Sequence, residues 1–572
     1  MAIDEGSAAK GFELEARRRS DDGDWQPATY NDGIECSDLQ PADAKSITPV
    51  PTRQEMFAKT ERSTSDDGVL DDGSTANEDL YKNYHIKVSY SSEKTKFSVR
   101  KLLKFVGPGL LVSQALLDPG NIESDISQAE VSGYKLLWLL LLAHILCMFV
   151  QSMAARLGVV TGKHLAQHIK QQYPRWYRTI FWMLSELAII GADVQEVVGT
   201  ATAFHILTGI PIWAGVVITA VDSFLFLYIQ RFGVRVTEML FGVLITILAV
   251  CFWIEMVKVK PDAKEVVKGM FIPRIPHNAA VQAVGIIGCV LMPHNLYLHS
   301  ALVGTRKLDR SETSRVGAVR EAMKYFRFEV VFSLVYAFLI NMAIVVVFVK
   351  AIAVMADKGL PYEASLVGGA TILTNVLGNS SKYIYGVGLL AIGQSTTMAG
   401  TMAGQYVTEG FWNIPVKPWQ RVVVTRAISL VPALAVGIAA TNHMDMLSEI
   451  INVIQSLVMS VTIIPLFKLQ MHPEIMGKEF AFAHYIKAAS FALGTAIIVL
   501  NAYMIVSVIP LESAGTYIAM VAALLVYIFV VLHVVLWPLL CVWERRSIVD
   551  RAPKPIRWLF GRSQMAPSEV AS

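Results

Sequence analysis

Charge is what this chain has least of. Only 17% of its 572 residues are Asp, Glu, Lys or Arg, where a soluble protein carries about 25%. That shortage excludes an ordinary soluble domain. The net charge of +3 says little, because distribution matters more than the sum, and no nucleic-acid partner is expected. Cysteine is also scarce. Cys36, Cys147, Cys251, Cys289 and Cys541 are scattered, all but Cys36 lie in or near apolar runs, and no CxxC pair occurs. This excludes a disulfide framework and a finger-like zinc site. A cleavable signal peptide is not expected either. Residues 1–85 are polar, rich in Asp, Glu, Ser, Thr and Gly, and lack apolar periodicity, so they read as a disordered tail. Asp66-Asp67-Gly68 and Asp71-Asp72-Gly73 lack the rest of a calcium-loop pattern and read as acidic linker.

What is plentiful is apolar sequence, at 53% of residues. Runs long enough to cross a bilayer, about 20 residues each, recur from residue 104 to residue 541. Hydropathy places about twelve spans, centred near residues 117, 147, 191, 220, 246, 291, 338, 393, 430, 457, 496 and 528. The chain reads as an all-α polytopic membrane protein. Basic residues set its orientation. Lys163, Lys170, Arg175 and Arg178 follow the second span, Arg306 to Lys324 supply a basic loop after the sixth, and Arg545 to Arg557 follow the last. By the positive-inside rule these segments and both termini face the cytosol. The loop holding Lys258, Lys260, Lys264, Lys268 and Arg274 dissents, since this order puts it outside. Asn379-Ser380-Ser381 is a glycosylation sequon in a loop that the same order also places outside.

Two tetrads interrupt the apolar runs. Asp118-Pro119-Gly120-Asn121 lies in the first span and Met292-Pro293-His294-Asn295 in the sixth. Both have proline second and asparagine fourth. A proline in a helix interior costs about 3 kcal/mol and a glycine about 1 kcal/mol. A mid-bilayer aspartate adds roughly 2.5–3.5 kcal/mol. Broken backbone at that depth survives only where protein buries it or where it lines a cavity. A matched pair of interrupted spans in two halves of a chain is the mark of a transporter's binding site. The tetrads lie in the first and sixth spans, an offset of five, so the second half is inverted relative to the first. Spans eleven and twelve lie outside the repeat and carry few polar groups.

The tetrads supply ligand chemistry. Asp118 offers a carboxylate and Asn121 an amide oxygen beside the exposed carbonyls of a half-helix. Met292 offers a thioether and the backbone at Cys289 a carbonyl. Hard ions such as Ca²⁺ and Mg²⁺ want all-oxygen cages, whereas sulfur favours softer transition metals. Mn²⁺, Fe²⁺, Co²⁺ or Cd²⁺ is the expected cargo. In the tenth span Asn452 and Gln455 share a face, and either can add an oxygen or bond between helices.

A second set of groups suits protons. Glu186, Asp193 and Glu196 share a face of the third span, and His294 and His299 lie in the sixth. Acids in a membrane helix mark proton or ion routes, and histidine changes charge in mildly acidic compartments. Arg426 in the ninth span is a counter-charge for Asp193. The stretch from Gly393 to Gln405 is small and hydroxyl-rich and reads as a close helix contact beside a polar path. Gly285 and Gly288 let the sixth helix pack closely.

Four motifs together resemble the NRAMP family of proton-coupled divalent metal transporters, in its eukaryotic branch. They are DPGNIESD from Asp118, ELAIIGADVQE from Glu186, MPHNLYLHSAL from Met292 and GQSTTMAGTMAGQYVTEG from Gly393, in the family's order, over residues 100–470. The resemblance implies a LeuT-type 5+5 inverted repeat, about residues 100–256 and 279–468, inside a core of 86–470. Two extra helices over 471–541 and a cytosolic tail over 542–572 would follow. It implies metal binding by Asp118, Asn121, Met292 and the carbonyl of Cys289, with Asn452 joining in an occluded state. It implies proton transfer through Asp118, Glu186, Asp193, Glu196 and His294, near Arg426. Two positions depart from the pattern. The family usually has alanine where Cys289 stands, and the tenth span runs Ser456 to Val461 where the family often has a Leu-Pro-Phe step, which weakens the Asn452 assignment. The expected activity is proton-driven import of Mn²⁺ or Fe²⁺ into the cytosol across a plasma, endosomal or vacuolar membrane. The chain is expected to be no enzyme and to hold no resident cofactor.

Overall fold

The structure is a computed structural model. It describes residues 17–19, 25–27, 86–88, 98–230, 232–308, 314–412, 418–439, 444–508 and 514–537. The expected tails, 1–85 and 542–572, fall outside the described residues except for two short strands. These are β1 (Arg17–Arg19) and β2 (Trp25–Pro27), an antiparallel pair in a separate unit spanning Met1–Gly73.

The second unit is helical. Helix α1 (Val99–Phe105) precedes a broken pair, α2 (Pro108–Ala115) and α3 (Pro119–Ser132). Then come α4 (Leu137–Thr161), α5 (Leu165–Gln172), α6 (Arg175–Thr208), α7 (Ile212–Gln230) and α8 (Val234–Val259). After α9 (Ala263–Phe271) a second broken pair follows, α10 (Ala280–Val290) and α11 (Pro293–Leu302). The rest are α12 (Arg315–Asp357), α13 (Leu366–Leu377), α14 (Asn379–Trp412), α15 (Pro418–Ala439), α16 (Met444–Met471), α17 (Pro473–Met476), α18 (His484–Val508) and α19 (Ala514–Leu536). Strand β3 (Ile86–Lys87) pairs in parallel with β4 (Arg306–Lys307), just after α11.

Helices, or the breaks between two of them, lie at all twelve expected centres. Among the described residues, seven spans are long and apolar enough to cross a membrane by length and composition. Helix α14 falls short because Gly, Ser and Thr dilute it, which is what lets it pack closely. The outward faces of α8, α12 and α19 carry exposed Val243, Phe332, Leu525 and Phe529. Such residues suit a lipid solvent, where only backbone groups demand internal partners. This is the LeuT-type 5+5 plan, with α18 and α19 as the two additional helices.

Both prolines of the tetrads prove to be first residues of helices. Pro119 begins α3 after Asp118 as N-cap, and Pro293 begins α11 after Met292 as N-cap. Proline is tolerated there because its missing N–H would be unpaired anyway. The penalty of about 3 kcal/mol for an interior proline therefore does not arise, and the cost of each break lies in its exposed polar groups.

Helices α18 and α19 carry more polar contact than their hydropathy suggests. Asn501 of α18 donates to the Ser456 carbonyl at 2.7 Å and to Ser460 Oγ at 2.6 Å. Tyr527 of α19 donates to the same Ser460 Oγ at 2.9 Å. Ser456 and Ser460 of α16 thus anchor the two added helices.

Candidate functional site

The first break is closed by its own side chains. Asp118 Oδ1 accepts from the Asn121 backbone N–H at 2.7 Å and from Asn121 Nδ2 at 2.6 Å. The first bond is an N-cap, which satisfies one of the orphan donors of α3. Asn121 Nδ2 also donates to the Cys289 carbonyl, 3.1 Å away at the end of α10. One carboxamide therefore joins the two broken helices. Asp118, Asn121, Cys289 and Met292 are all at most 2% exposed. The other carboxylate oxygen, Asp118 Oδ2, is buried and meets no donor among the described residues. The sequence alone points to the amide oxygen of Asn121 as the group facing the site. In the structure its NH₂ lies there instead, between Asp118 Oδ1 and the Cys289 carbonyl oxygen.

In the second break, Met292 Sδ lies 3.6 Å from Asn295 Nδ2 of the same tetrad. Met292 follows Cys289 by three residues across the break and is as buried as Asp118. No group of three or more His, Cys, Asp or Glu side chains suited to a metal occurs among the described residues.

Asn452 of α16 packs onto α10 where Gly288 leaves room. A β-carbon at 288 would sit 2.7 Å from the Asn452 carbonyl. Its side chain is otherwise engaged, since Gln195 Nε2 of α6 donates to Asn452 Oδ1 at 3.1 Å and to the Ser448 carbonyl at 3.2 Å. Gln455 Nε2 donates in turn to Gln195 Oε1 at 3.4 Å. The amide of Gln195 also fills the space beside Gly120, where a β-carbon would come within 2.5 Å of it. Gln195 thus touches the first break and holds Asn452. No sequence signal marks it beyond its place between Asp193 and Glu196.

The proton candidates separate into groups. Asp193 and Glu196 are buried and face α14, where a β-carbon on Gly400 would lie 3.3 Å from Asp193 Oδ1 and 3.2 Å from Glu196 Oε1. Glu186 is half-buried further along α6 and accepts from Trp182 Nε1 at 3.0 Å and Thr408 Oγ1 at 2.9 Å. His294 is buried, with Nδ1 meeting no partner among the described residues. His299 Nδ1 lies 3.0 Å from Gln151 Oε1 of α4. The side chain of Arg426 lies outside the described residues. Asn379 is exposed at the start of α14.

A charged cluster holds the start of α2, and hydropathy gives no hint of it. Glu329 Oε1 of α12 accepts from the backbone N–H of Gly107 at 2.5 Å and of Gly109 at 2.9 Å. Glu238 of α8 pairs with Arg306 at 2.6 Å and Arg235 at 3.0 Å. Arg306 also donates to the Val106 carbonyl at 2.8 Å. Gly107 has φ +148 and its missing β-carbon would strike the Glu238 carboxylate, so only glycine serves there.

This geometry has counterparts in known proteins. Residues 109–507 match the family described as natural resistance-associated macrophage protein-like, Nramp. A Dictyostelium discoideum protein described as a metal transporter nramp1 homolog is 44% identical over 411 residues, covering 71% of this chain and 75% of that protein. The rice metal transporter Nramp2 is 40% identical over 452 residues, covering 77% of this chain and 84% of its own length. A crystal structure of the Eremococcus coleocola manganese transporter, in complex with an aromatic bis-isothiourea substituted compound, superposes with a TM-score of 0.68 at 28% identity. It covers 79% of this chain and 97% of that one.

Proposed function

The chain belongs to the Nramp family, and on that premise we propose that it imports Mn²⁺ or Fe²⁺ into the cytosol, coupled to protons, by alternating access. It is a membrane metal transporter and not an enzyme. Cd²⁺ and Co²⁺ are further cargo in this reading. One observation carries it: Asn121 joins Asp118 to the Cys289 carbonyl across the two breaks, beside a buried Asp118 Oδ2 that meets no donor among the described residues. A cation entering there replaces the two hydrogen bonds of the amide and recruits the Met292 sulfur. Asn452 joins when Gln195 lets go. The repeats over 100–256 and 279–468 rock against each other around this fixed point.

Protons take the acids of α6 in this proposal. Asp193 and Glu196 face the glycine-rich stretch of α14, and His294 lies next to Pro293 of the second break, nearer the site along the chain than any other titratable group of α11. Glu186 and His299 extend the route, and Arg426 is its counter-charge. Both termini face the cytosol, and Asn379 faces the opposite side as a glycan acceptor. The host is a plasma, endosomal or vacuolar membrane.

The test is Mn²⁺ uptake into proteoliposomes by Asp118→Ala. The variant should elute as the wild type does in detergent and transport nothing above empty vesicles. Normal flux would remove Asp118 from the site and with it the binding mode proposed here.

A further inference from the structure

We propose a second cation position on α3, outward of the first along the helix axis, built from the side-chain oxygens of Asp125 and Gln128. It rests on the proposed transport function. Asp118, Asn121, Asp125 and Gln128 follow one another at spacings of three and four, so they form a single stripe on α3. The neighbouring positions of α3 face α10: Ser124 Oγ lies 3.7 Å from where a β-carbon on Gly285 would be, and Gln282 Nε2 donates to Ser127 Oγ at 3.3 Å. The stripe therefore runs beside a closed helix contact. Asp125 is 2% exposed and Gln128 fully buried.

These two residues bind each other in only one way. Gln128 Nε2 donates to Asp125 Oδ1 at 2.7 Å. Asp125 Oδ2 and Gln128 Oε1 are both buried with no donor among the described residues, and so is Gln282 Oε1 across the contact. Among those residues Asp125 forms no ion pair with Lys, Arg or His. Asp125 Oδ2 and Gln128 Oε1, two acceptors without a donor on one hydrogen-bonded pair, are costly in a dry interior, where each lost hydrogen bond leaves its full desolvation penalty. A divalent cation satisfies such a set, since carboxylate and amide oxygens are its ordinary ligands.

The two positions differ in chemistry. The inner one adds the Met292 thioether, whereas the oxygens of Asp125 and Gln128 have the buried Cys289 thiol near them. Asp125 lies seven residues beyond Asp118, about 10 Å along the axis at 1.5 Å per residue. That spacing separates the two carboxylates enough for a cation to occupy one before the other. The outer position loads the ion and the inner one receives it.

The test is equilibrium Mn²⁺ binding to the purified full-length chain in detergent, by calorimetry and by the paramagnetic signal of free Mn²⁺. Wild type should bind two ions. Asp118→Ala should retain one weak site, and adding Asp125→Asn to it should abolish binding. Asp125→Asn alone keeps the hydrogen bond from Gln128 and should raise the KM for Mn²⁺ uptake about tenfold with Vmax unchanged. Binding offers two results that would overturn the second position. One is Asp118→Ala binding nothing while it remains monodisperse. The other is undiminished residual binding in the double variant. A third contrary result is Asp125→Asn shifting the pH profile of uptake at constant KM, since that would make Asp125 a proton carrier. Loss of flux in Asp118→Ala with one ion still bound supports both positions. Normal flux in that variant refutes the inner one alone.

Discussion

Gly199 of α6 sets the position of the first break, and a single methyl group tests it. A β-carbon at 199 would lie 2.3 Å from both Cβ and Cγ of Pro119. Non-bonded carbons settle at about 3.5–4.0 Å, so α3 must retreat by roughly 1–2 Å. The pyrrolidine ring cannot swing aside as a long side chain would. Overpacking of this kind costs about 1–3 kcal/mol, and alanine returns up to about 1 kcal/mol of helix propensity. The change in stability is therefore small. The change in geometry is not, because Asp118 directly precedes Pro119 and caps the same helix. Misplacing a reacting group by about 1 Å can cost on the order of 100-fold in rate. Gly199→Ala should lower Mn²⁺ uptake in proteoliposomes at least tenfold while shifting the melting temperature by only a few degrees. Gly242→Ala is the control, since nothing lies within 4 Å of a β-carbon there, and it should transport within twofold of wild type. Wild-type uptake by Gly199→Ala would show that this packing does not place Asp118.

Met292→Ala should admit Ca²⁺ because only oxygen ligands remain, and unchanged exclusion in a competition assay would show that the thioether is not the filter. Uptake should rise as the external proton concentration is raised, and a flat pH profile would argue for transport without protons. Arg306→Ala leaves Glu238 buried with only Arg235 beside it. Breaking a buried pair this way costs about 3–5 kcal/mol, so the melting temperature should fall by several degrees, and an unchanged melt would mean the cluster at α2 contributes nothing.

Both breaks were legible in the sequence because proline and polar residues are costly inside an apolar run unless the helix is interrupted there. The small residues of α14 were legible for a similar reason, and Gly393 and Gly400 do meet α6 side chains directly. Residues whose meaning depends on distant partners were not legible. Gln195 matters because Gly120 and Asn452 converge on it, and no local pattern encodes that. Glu238, Arg306 and Glu329 belong to different parts of the chain, and hydropathy treats each as an isolated charge. Asn501 and Tyr527 look ordinary in apolar helices until Ser460 accepts from both. Local chemistry could be read from the chain, whereas which residues face each other is decided only when the helices pack.

The amide of Asn121 explains how such a site persists without cargo and still releases it. A carboxylate and a carbonyl facing each other in a dry interior repel, and a cation would relieve that. Here the NH₂ group supplies the positive ends of two dipoles in its place. Hydrogen bonds to a charged group contribute about 1.5–3 kcal/mol and neutral ones about 1 kcal/mol. An entering ion must displace both, then gain the amide oxygen as the side chain turns over. At about 1.4 kcal/mol per factor of ten, that exchange weakens binding by roughly 100-fold or more. A transporter benefits from this limit, because an ion held by unopposed ligands at mid-depth would not leave. In the binding mode proposed above, the same asparagine closes the gap between Asp118 and the Cys289 carbonyl, turns over to supply a ligand, and keeps the difference between the two arrangements small enough to reverse.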